Sequence, residues 1–278
     1  MSTNTAKRLE KIQERLQRDY NTITGKYGLE CVGVFLYGSQ NYNLDTPTSD
    51  IDTKAIVIPA VKDMIFNNGE IKKQIEWDDG ICDIHDMISM HKSFKKQNIN
   101  FLEILFTEYK IVNPEYEHLY DPMFKNNNKI ARISPYRALQ ANYGTIKNKL
   151  GKLLVAKPSN LDTVAKYGYD NKALCDIFRI EEFIKRYRES VPFSQCLISN
   201  NRDQLYEIKC NPTLYTEEQA KLLYNEYCIK IKTELLNLDE TMTDDDTNWE
   251  TMDLVDWVSE NCYKHYIKQR MVKENWLN

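Results

Sequence analysis

The sequence predicts an α+β protein in which a sheet-containing first half is followed by a helical second half. In the first hundred residues, short apolar runs rich in β-branched side chains alternate with segments of helical periodicity. From about residue 130, long charged segments repeat their apolar residues at helical spacing and carry proline only at or outside their edges. We therefore expect two domains, residues 1–125 and residues 130–278.

The first half is predicted to open with a helix and to continue through three strands. Apolar residues recur at helical spacing over residues 6–25, which predicts an amphipathic helix. The apolar run 31–37 is long enough for one buried strand, and a loop of Asn, Asp, Pro, Thr and Ser follows at 40–49. Further strands are predicted at 50–58, which ends before a proline, and at 81–87.

The second half is predicted from its helical period alone. The acidic stretch 239–246 lies between its last two helices, and we expect it to be a solvated connector. Its helices are predicted at residues 135–156, 162–189, 215–238 and 249–272, and one further helix is predicted at 88–108, before the second half begins.

Composition restricts the class of protein. The net charge of −4, from 37 basic and 41 acidic residues, argues against tight unspecific binding of long nucleic acid, although a local basic groove remains compatible with it. No stretch approaches the 18 apolar residues of a membrane span, and the polar N-terminus does not resemble a secretory signal. The seven cysteines form no C-x-x-C pair, which favours free thiols in a cytoplasmic protein over zinc or disulfides.

Two polar pairs flank the loop at residues 40–49, and each lies against an apolar run. Gly38 and Ser39 follow one predicted strand, and Asp50 and Asp52 begin the next. Residues two apart in a strand point to the same face, so we expect the two carboxylates to lie side by side, where they require a cation such as Mg²⁺. The glycine lets a phosphate approach the backbone, and the serine adds a hydroxyl donor.

These segments resemble the signature of a known superfamily. Residues 36–39 (Leu-Tyr-Gly-Ser) and 46–52 are similar to the motif of the DNA polymerase beta-like nucleotidyltransferases, and more narrowly to a bacterial and phage branch of predicted nucleotidyltransferases. Residues 101–106 resemble the branch's Leu-Glu-Leu-Leu helix, and residues 166–172 resemble its second-domain motif. The resemblance implies an α+β fold with a small mixed sheet, helices packed on one face of it, and an all-helical substrate domain after it.

The sequence departs from the branch at two positions. Asn43 stands where the branch has glycine, but asparagine tolerates a left-handed backbone, so the loop can still form. Asp176 stands where the branch favours histidine, which puts a role for an imidazole there in doubt. Lys172 and Arg179 share a helix face with Asp176. The two cations could clamp a triphosphate or an acceptor phosphate, or the face could be solvated with an internal ion pair.

The superfamily fold places a third metal ligand on a later strand. Asp83 is our candidate, because Cys82 and Ile84 are expected to face the core and would leave Asp83 facing the metal. It could complete a two-metal site or act as base toward an acceptor hydroxyl. His85 shares its face and Asp86 has the opposite face, and both remain alternatives.

Together these features predict a metal-dependent nucleotidyltransferase. Such an enzyme transfers a nucleoside monophosphate from ATP or another NTP to an acceptor hydroxyl and releases pyrophosphate, with Mg²⁺ or Mn²⁺. The acceptor could be an RNA 3′ end such as that of tRNA, a protein side chain or a small molecule, and no oligomeric state is predicted. Two alternatives are a non-catalytic nucleotide-binding or regulatory module on the same fold, and a helical interaction protein in which the motif is accidental.

Overall fold

A five-stranded mixed sheet forms much of the first half of the chain and helices form most of the remainder, which confirms the α+β class. The computed structural model describes residues 3–66 and 70–273. The strand order is β3-β4-β2-β1-β5, in which β2 and β4 are parallel and the other neighbours are antiparallel. The strands are β1 (Glu30–Tyr37), β2 (Asp52–Ile58), β3 (Lys72–Trp77), β4 (Gly80–Asp86) and β5 (Lys110–Val112).

Three of the five strands were predictable from their apolar runs, and the two edge strands were not. β1 and β2 are buried along almost their whole length, and β4 alternates between buried and half-buried side chains. β3 is mostly exposed and polar, and β5 has only three residues. Edge strands of this kind bury little, so their sequence carries no hydrophobic periodicity.

Helices cover both faces of the sheet, so the expectation that they pack on one face is wrong. Helix α1 (Thr3–Asn21) places Ile12 and Leu16 in a small core against Val34, Ala55 and Ile84. The opposite face of the sheet contributes side chains to a much larger core with the later helices. The small core packs against the first residues of β2 on the face of the sheet opposite to the large core.

The predicted helices 88–108 and 162–189 are each broken in the structure. Gln97, with φ of 52°, separates the helices Met87–Lys95 and Ile99–Leu102. Gly168, with φ of 79°, separates the helices Leu161–Tyr167 and Asn171–Arg188. A Cβ on Gly168 would lie 2.4 Å from the side chain of Glu217, so this break requires glycine. The remaining helices are α2 (Val61–Ile65), α3 (Met87–Lys95), α4 (Ile99–Leu102), α5 (Pro114–Lys125), α6 (Asn127–Ile130), α7 (Pro135–Leu153), α8 (Leu161–Tyr167), α9 (Asn171–Arg188), α10 (Phe193–Leu197), α11 (Arg202–Cys210), α12 (Glu217–Thr241) and α13 (Trp249–Lys273).

Side-chain caps fix where the principal helices begin. Ser134 accepts a hydrogen bond from the N–H of Arg137 at the start of α7, and Asp170 accepts one from Ala173 at the start of α9. Thr216 forms a capping box at the start of α12. These polar residues satisfy helix N–H groups that would otherwise lack a partner.

The large core runs from the sheet into the helical half. Phe35 and Ile56 of the sheet belong to the same cluster as Leu139 and Phe183 of the later helices. The predicted boundary at residues 125–130 falls within this continuous packing, and the division into two domains stays a prediction.

The acidic connector is shorter than expected and is attached to the helical half. α12 continues to Thr241, and Asp244 then pairs with Arg137 and with the hydroxyl of Ser134. No described helix is long and apolar enough to cross a membrane. The seven cysteines are all described, and none of them forms a disulfide.

Candidate functional site

The turn after β1 has the backbone that the sequence predicted. Gly38 has φ of 84°, and its carbonyl accepts a hydrogen bond of 2.9 Å from the N–H of Asn41. The Ser39 carbonyl accepts from Tyr42 and Leu44, which closes the turn. Asn43 has φ of 56°, so the left-handed conformation expected of asparagine at this position is confirmed.

Asp52 is the first residue of β2 and lies opposite Tyr37 at the end of β1. Its Oδ1 accepts a hydrogen bond of 3.1 Å from the N–H of Ile81. A Cβ on Gly38 would lie 3.8 Å from Oδ2 of Asp52, so the glycine leaves free space beside this carboxylate. The Gly38 turn and the Asp52 carboxylate are therefore neighbours in the structure.

Asp50 does not lie in the strand, which corrects the expected geometry. β2 begins two residues later than predicted, and Asp50 is exposed in the preceding loop. Alternation along one strand therefore cannot explain its position relative to Asp52. Burial raises the pKa of the Asp52 carboxyl, and the charges of Asp50 and Asp83 raise it further. The three predicted carboxylates thus interact electrostatically, although only two lie on strands.

Asp83 lies on the expected face of β4 but is already engaged. Its neighbours Cys82 and Ile84 are buried in the small core, as predicted. The Tyr37 hydroxyl donates to its Oδ2 at 2.8 Å, and the ammonium of Lys54 is 3.6 Å from the same oxygen. The Nε2 of Gln74 donates to Oδ1 of Asp83 at 2.9 Å, so a metal that bound Asp83 would have to compete with three donors.

Asp86 has a structural role in the folded chain. One carboxylate oxygen accepts from the N–H of Ser89 at the start of α3, and the other accepts from the N–H of Ile71, each at 2.7 Å. Both oxygens of this buried residue are therefore used by backbone groups.

Among the residues that the structure describes, no three Asp, Glu, His or Cys side chains are arranged to hold a metal ion as they stand. The donor chemistry at Asp52 nevertheless fits a divalent cation. A bound cation would offset the burial and the like charges that raise the pKa of Asp52. Carboxylates of Asp50 and Asp52 with phosphate oxygens would form the oxygen ligand set that Mg²⁺ prefers.

Glu103 accepts hydrogen bonds from the turn after β1. In the sequence it was indicated only as part of the segment 101–106 that resembles the branch's helix motif. It is fully buried, and its Oε2 accepts a hydrogen bond of 3.0 Å from the N–H of Gly38. The amide of Asn41 lies 3.4 Å from the same oxygen. Burial raises the pKa of Glu103, while hydrogen bonds from Tyr42 and Gly38 and the charges of Arg179 and Lys54 oppose that shift.

Lys54 is a second residue that sequence reasoning missed. It lies on the Asp52 face of β2 and is 4% exposed. Its ammonium is 4.2 Å from the ring centroid of Tyr37 and 4.7 Å from that of Phe101. Burial lowers its pKa, and the charge of Asp83 acts in the opposite direction. A charged residue inside an apolar strand was the available signal.

Helix α9 brings the two predicted phosphate ligands to different environments. Lys172 is exposed at the second position of the helix. Arg179 is buried, and its guanidinium lies 4.0 Å from the ring centroid of Tyr42. Its Nε and Nη1 make no hydrogen bond within the described part of the chain, although Asp176 lies 3.6 Å from Nε. Arg179 therefore joins the second half of the chain to the loop after Gly38.

Asp176 is surrounded by cations. It pairs with Lys149, and the charges of Arg179, Lys149 and Lys209 lower its pKa against the effect of burial. Lys209 also donates to the carbonyl of Leu44 at 2.6 Å. Asp176, at the position where the resembled branch favours histidine, is therefore a carboxylate with basic side chains around it, close to the loop after Gly38.

No protein-family model matches the sequence, and a search of curated proteins finds no significant match. The functional assignment therefore depends on the residues and geometry of the site.

His85 makes folding sensitive to acid. Burial lowers its pKa to about 4, and the charge of Lys54 contributes. The unfolded chain binds a proton near pH 6.5 and the folded chain does not, so stability is highest above pH 6.5 and falls as the pH drops toward 4. We expect His85→Gln to remove about 2 kcal/mol of the stability difference between pH 7 and pH 4.5.

Denaturant unfolding of both proteins at the two pH values measures this contribution. His118→Gln, which replaces an exposed imidazole on α5, is the matched control. An equal pH dependence in wild type and His85→Gln would contradict the assignment.

Proposed function

We propose that the chain is a metal-dependent nucleotidyltransferase that transfers a nucleoside monophosphate from an NTP to an acceptor hydroxyl. The observation that carries the proposal is the juxtaposition of the Gly38 turn with Asp52. A half-buried carboxylate, with its pKa raised by burial and by Asp50 and Asp83, lies next to a glycine that leaves space for a ligand. Such a site is suited to a cation that carries phosphates.

Each residue has a distinct part in this proposal. Asp52 and Asp50 would hold Mg²⁺, and Asp83 would join them once released by Lys54 or would orient the acceptor. The hydroxyl of Ser39 is the donor offered to the phosphates beside Gly38. Catalysis would come from positioning and charge stabilisation rather than from a covalent intermediate.

The helical half is proposed to hold the remaining phosphates and the acceptor. Lys172 is exposed and free to approach a triphosphate, while Arg179 would act through its contact with Tyr42 in the turn. The acceptor class is left to experiment, because RNA, protein and small-molecule hydroxyls would all meet the same reacting centre.

A labelling experiment with two isotopic positions tests the reaction. Purified protein is incubated with Mg²⁺ or Mn²⁺, α-³²P or γ-³²P NTPs, and separated RNA, protein and small-molecule fractions of a lysate. We expect an acceptor to gain the α label and not the γ label, and we expect Asp52→Ala to abolish the transfer. Equal labelling by Asp52→Ala, or transfer of the γ label, would contradict the proposal.

One observation favours a second candidate, a non-catalytic nucleotide-binding module. Asp83 is engaged by Tyr37 and Lys54, which leaves fewer carboxylates for metal than a two-metal enzyme uses. Calorimetry that showed NTP binding without turnover across all three acceptor fractions would support this module instead.

A further inference from the structure

The first residues of β2 are held by the turn between β3 and β4. The N–H of Ile51 donates to the carbonyl of Asp79 at 2.8 Å, and the N–H of Ile81 donates to Oδ1 of Asp52 at 3.1 Å. These two bonds lie on either side of Gly80. The turn therefore sets both the backbone before Asp52 and the direction of its carboxylate.

Gly80 makes this close approach possible. Its φ is 130°, and a Cβ there would lie 2.6 Å from the carbonyl oxygen of Ile51 and 3.0 Å from Oδ1 of Asp52. No other residue type fits this contact without displacing β2 or the turn. Asp52 is thus packed tightly against the backbone of the turn.

Arg15 anchors the β3–β4 turn to helix α1. The Nη1 of Arg15 donates to Oδ1 of Asp79 at 2.7 Å, and its Nε donates to Oδ2 of Asp19 at 2.8 Å. The Arg15 side chain has no solvent exposure. A guanidinium with two separate carboxylate contacts has a fixed orientation, unlike a lysine.

Asp19, which is paired with Arg15, also contacts strands β2 and β3. It accepts hydrogen bonds from the hydroxyl of Thr53, which follows Asp52, and from Nε1 of Trp77 at the end of β3. Arg15 and Asp19 therefore hold the residue after Asp52 as well as the turn that contacts its carboxylate. All of these contacts come from the face of the sheet opposite to the large core.

We propose that Arg15 is a positioning residue for Asp52, holding the β3–β4 turn so that the Asp52 carboxylate has one orientation for metal-bound phosphate. The proposal rests on the proposed function for its catalytic consequence. It assigns part of the site's geometry to the N-terminal helix, which contributes none of the predicted metal or phosphate ligands.

The test compares Arg15→Met and Arg15→Lys with Arg18→Met. Arg18 donates to the same Asp79 oxygen at 2.6 Å but is partly exposed and forms no ion pair with Asp19 among the described residues, so it is a matched control. We expect kcat for α-label transfer to fall about 10- to 100-fold in Arg15→Met, with a much smaller change in KM for the NTP. Arg15→Lys restores the charge but not the two-point contact, so its kcat should recover only in part.

The split between kcat and KM separates positioning from a merely structural role. A merely structural role would lower the folded fraction and leave kcat per folded molecule unchanged, whereas lost positioning lowers kcat per folded molecule more in Arg15→Met than in Arg15→Lys or Arg18→Met. Thermal melting gives the folded fraction for each variant. An unchanged kcat per folded molecule in Arg15→Met would overturn the proposal.

A second measurement does not depend on activity. Proton and nitrogen-15 NMR of the Ile81 amide, which donates to Oδ1 of Asp52, reports whether the carboxylate keeps its orientation in each protein. A change in this amide signal in Arg15→Met that exceeds the change in Arg18→Met supports the proposal, and equal signals overturn it. A wild type that transfers no label contradicts the proposed function, while this amide signal still decides the role of Arg15.

Discussion

Asp52→Asn should abolish nucleotidyl transfer while leaving the protein at least as stable as the wild type. We expect a loss in kcat on the order of 10³-fold, because an amide cannot supply the anionic ligand that holds the cation. The fold should tolerate the change, since the amide oxygen can still accept the hydrogen bond from Ile81. Burial and two like charges raise the pKa of the Asp52 carboxyl, so its ionised form is disfavoured in the folded protein. Replacing it with a neutral amide should therefore maintain or increase the free energy of unfolding at pH 7.

Paired assays of transfer and denaturant unfolding check this prediction. Asp78→Asn is the matched control, because it removes a charge from an exposed residue in the neighbouring turn. It should change neither quantity appreciably. Transfer by Asp52→Asn at more than a tenth of the wild-type rate would show that this carboxylate does not hold the metal.

Glu103→Ala should be among the most damaging single changes to stability, with a loss of about 3 kcal/mol. The residue is fully buried, so its removal opens a cavity. It also leaves the N–H of Gly38 without its acceptor, while the amide of Asn41 keeps its hydrogen bond to the carbonyl of Leu36. The buried cations Lys54 and Arg179 lose a nearby carboxylate at the same time.

Urea unfolding of three variants separates these causes. Glu103→Gln keeps the shape and an oxygen for Gly38, so it should cost about 1 kcal/mol. Glu108→Ala removes an exposed carboxylate five residues later and should change stability little. If Glu103→Ala were no less stable than Glu108→Ala, the turn would not depend on this buried carboxylate.

The elements that the sequence predicted correctly were those whose burial repeats along the chain. β1 and β2 read as apolar runs because both of their faces are covered, and α7, α12 and α13 show long helical periods. The polar edge strand β3 gave no such pattern. Its position depends on hydrogen bonds to β4, which a pattern of side chains does not encode.

The site was predictable where residues are close in sequence and less so where distant segments meet. The turn at Gly38 and the approach of Asp52 follow from the motif on either side of one loop. Glu103, Arg15 and Lys54 reach the site from other elements. Their roles depend on which buried charges lie together, and that is a property of the tertiary packing.

The hydrogen bond between Gly38 and Glu103 also affects the form in which a nucleotide could arrive. The amide that a phosphate would otherwise seek is already donated to a carboxylate, with Asp50 and Asp52 nearby. A bare triphosphate approaching this side of the turn would meet repulsion, whereas a magnesium–nucleotide complex would not. Under the proposed function, the nucleotide therefore binds as its metal complex. Uncomplexed NTP would bind weakly and would be a poor competitive inhibitor.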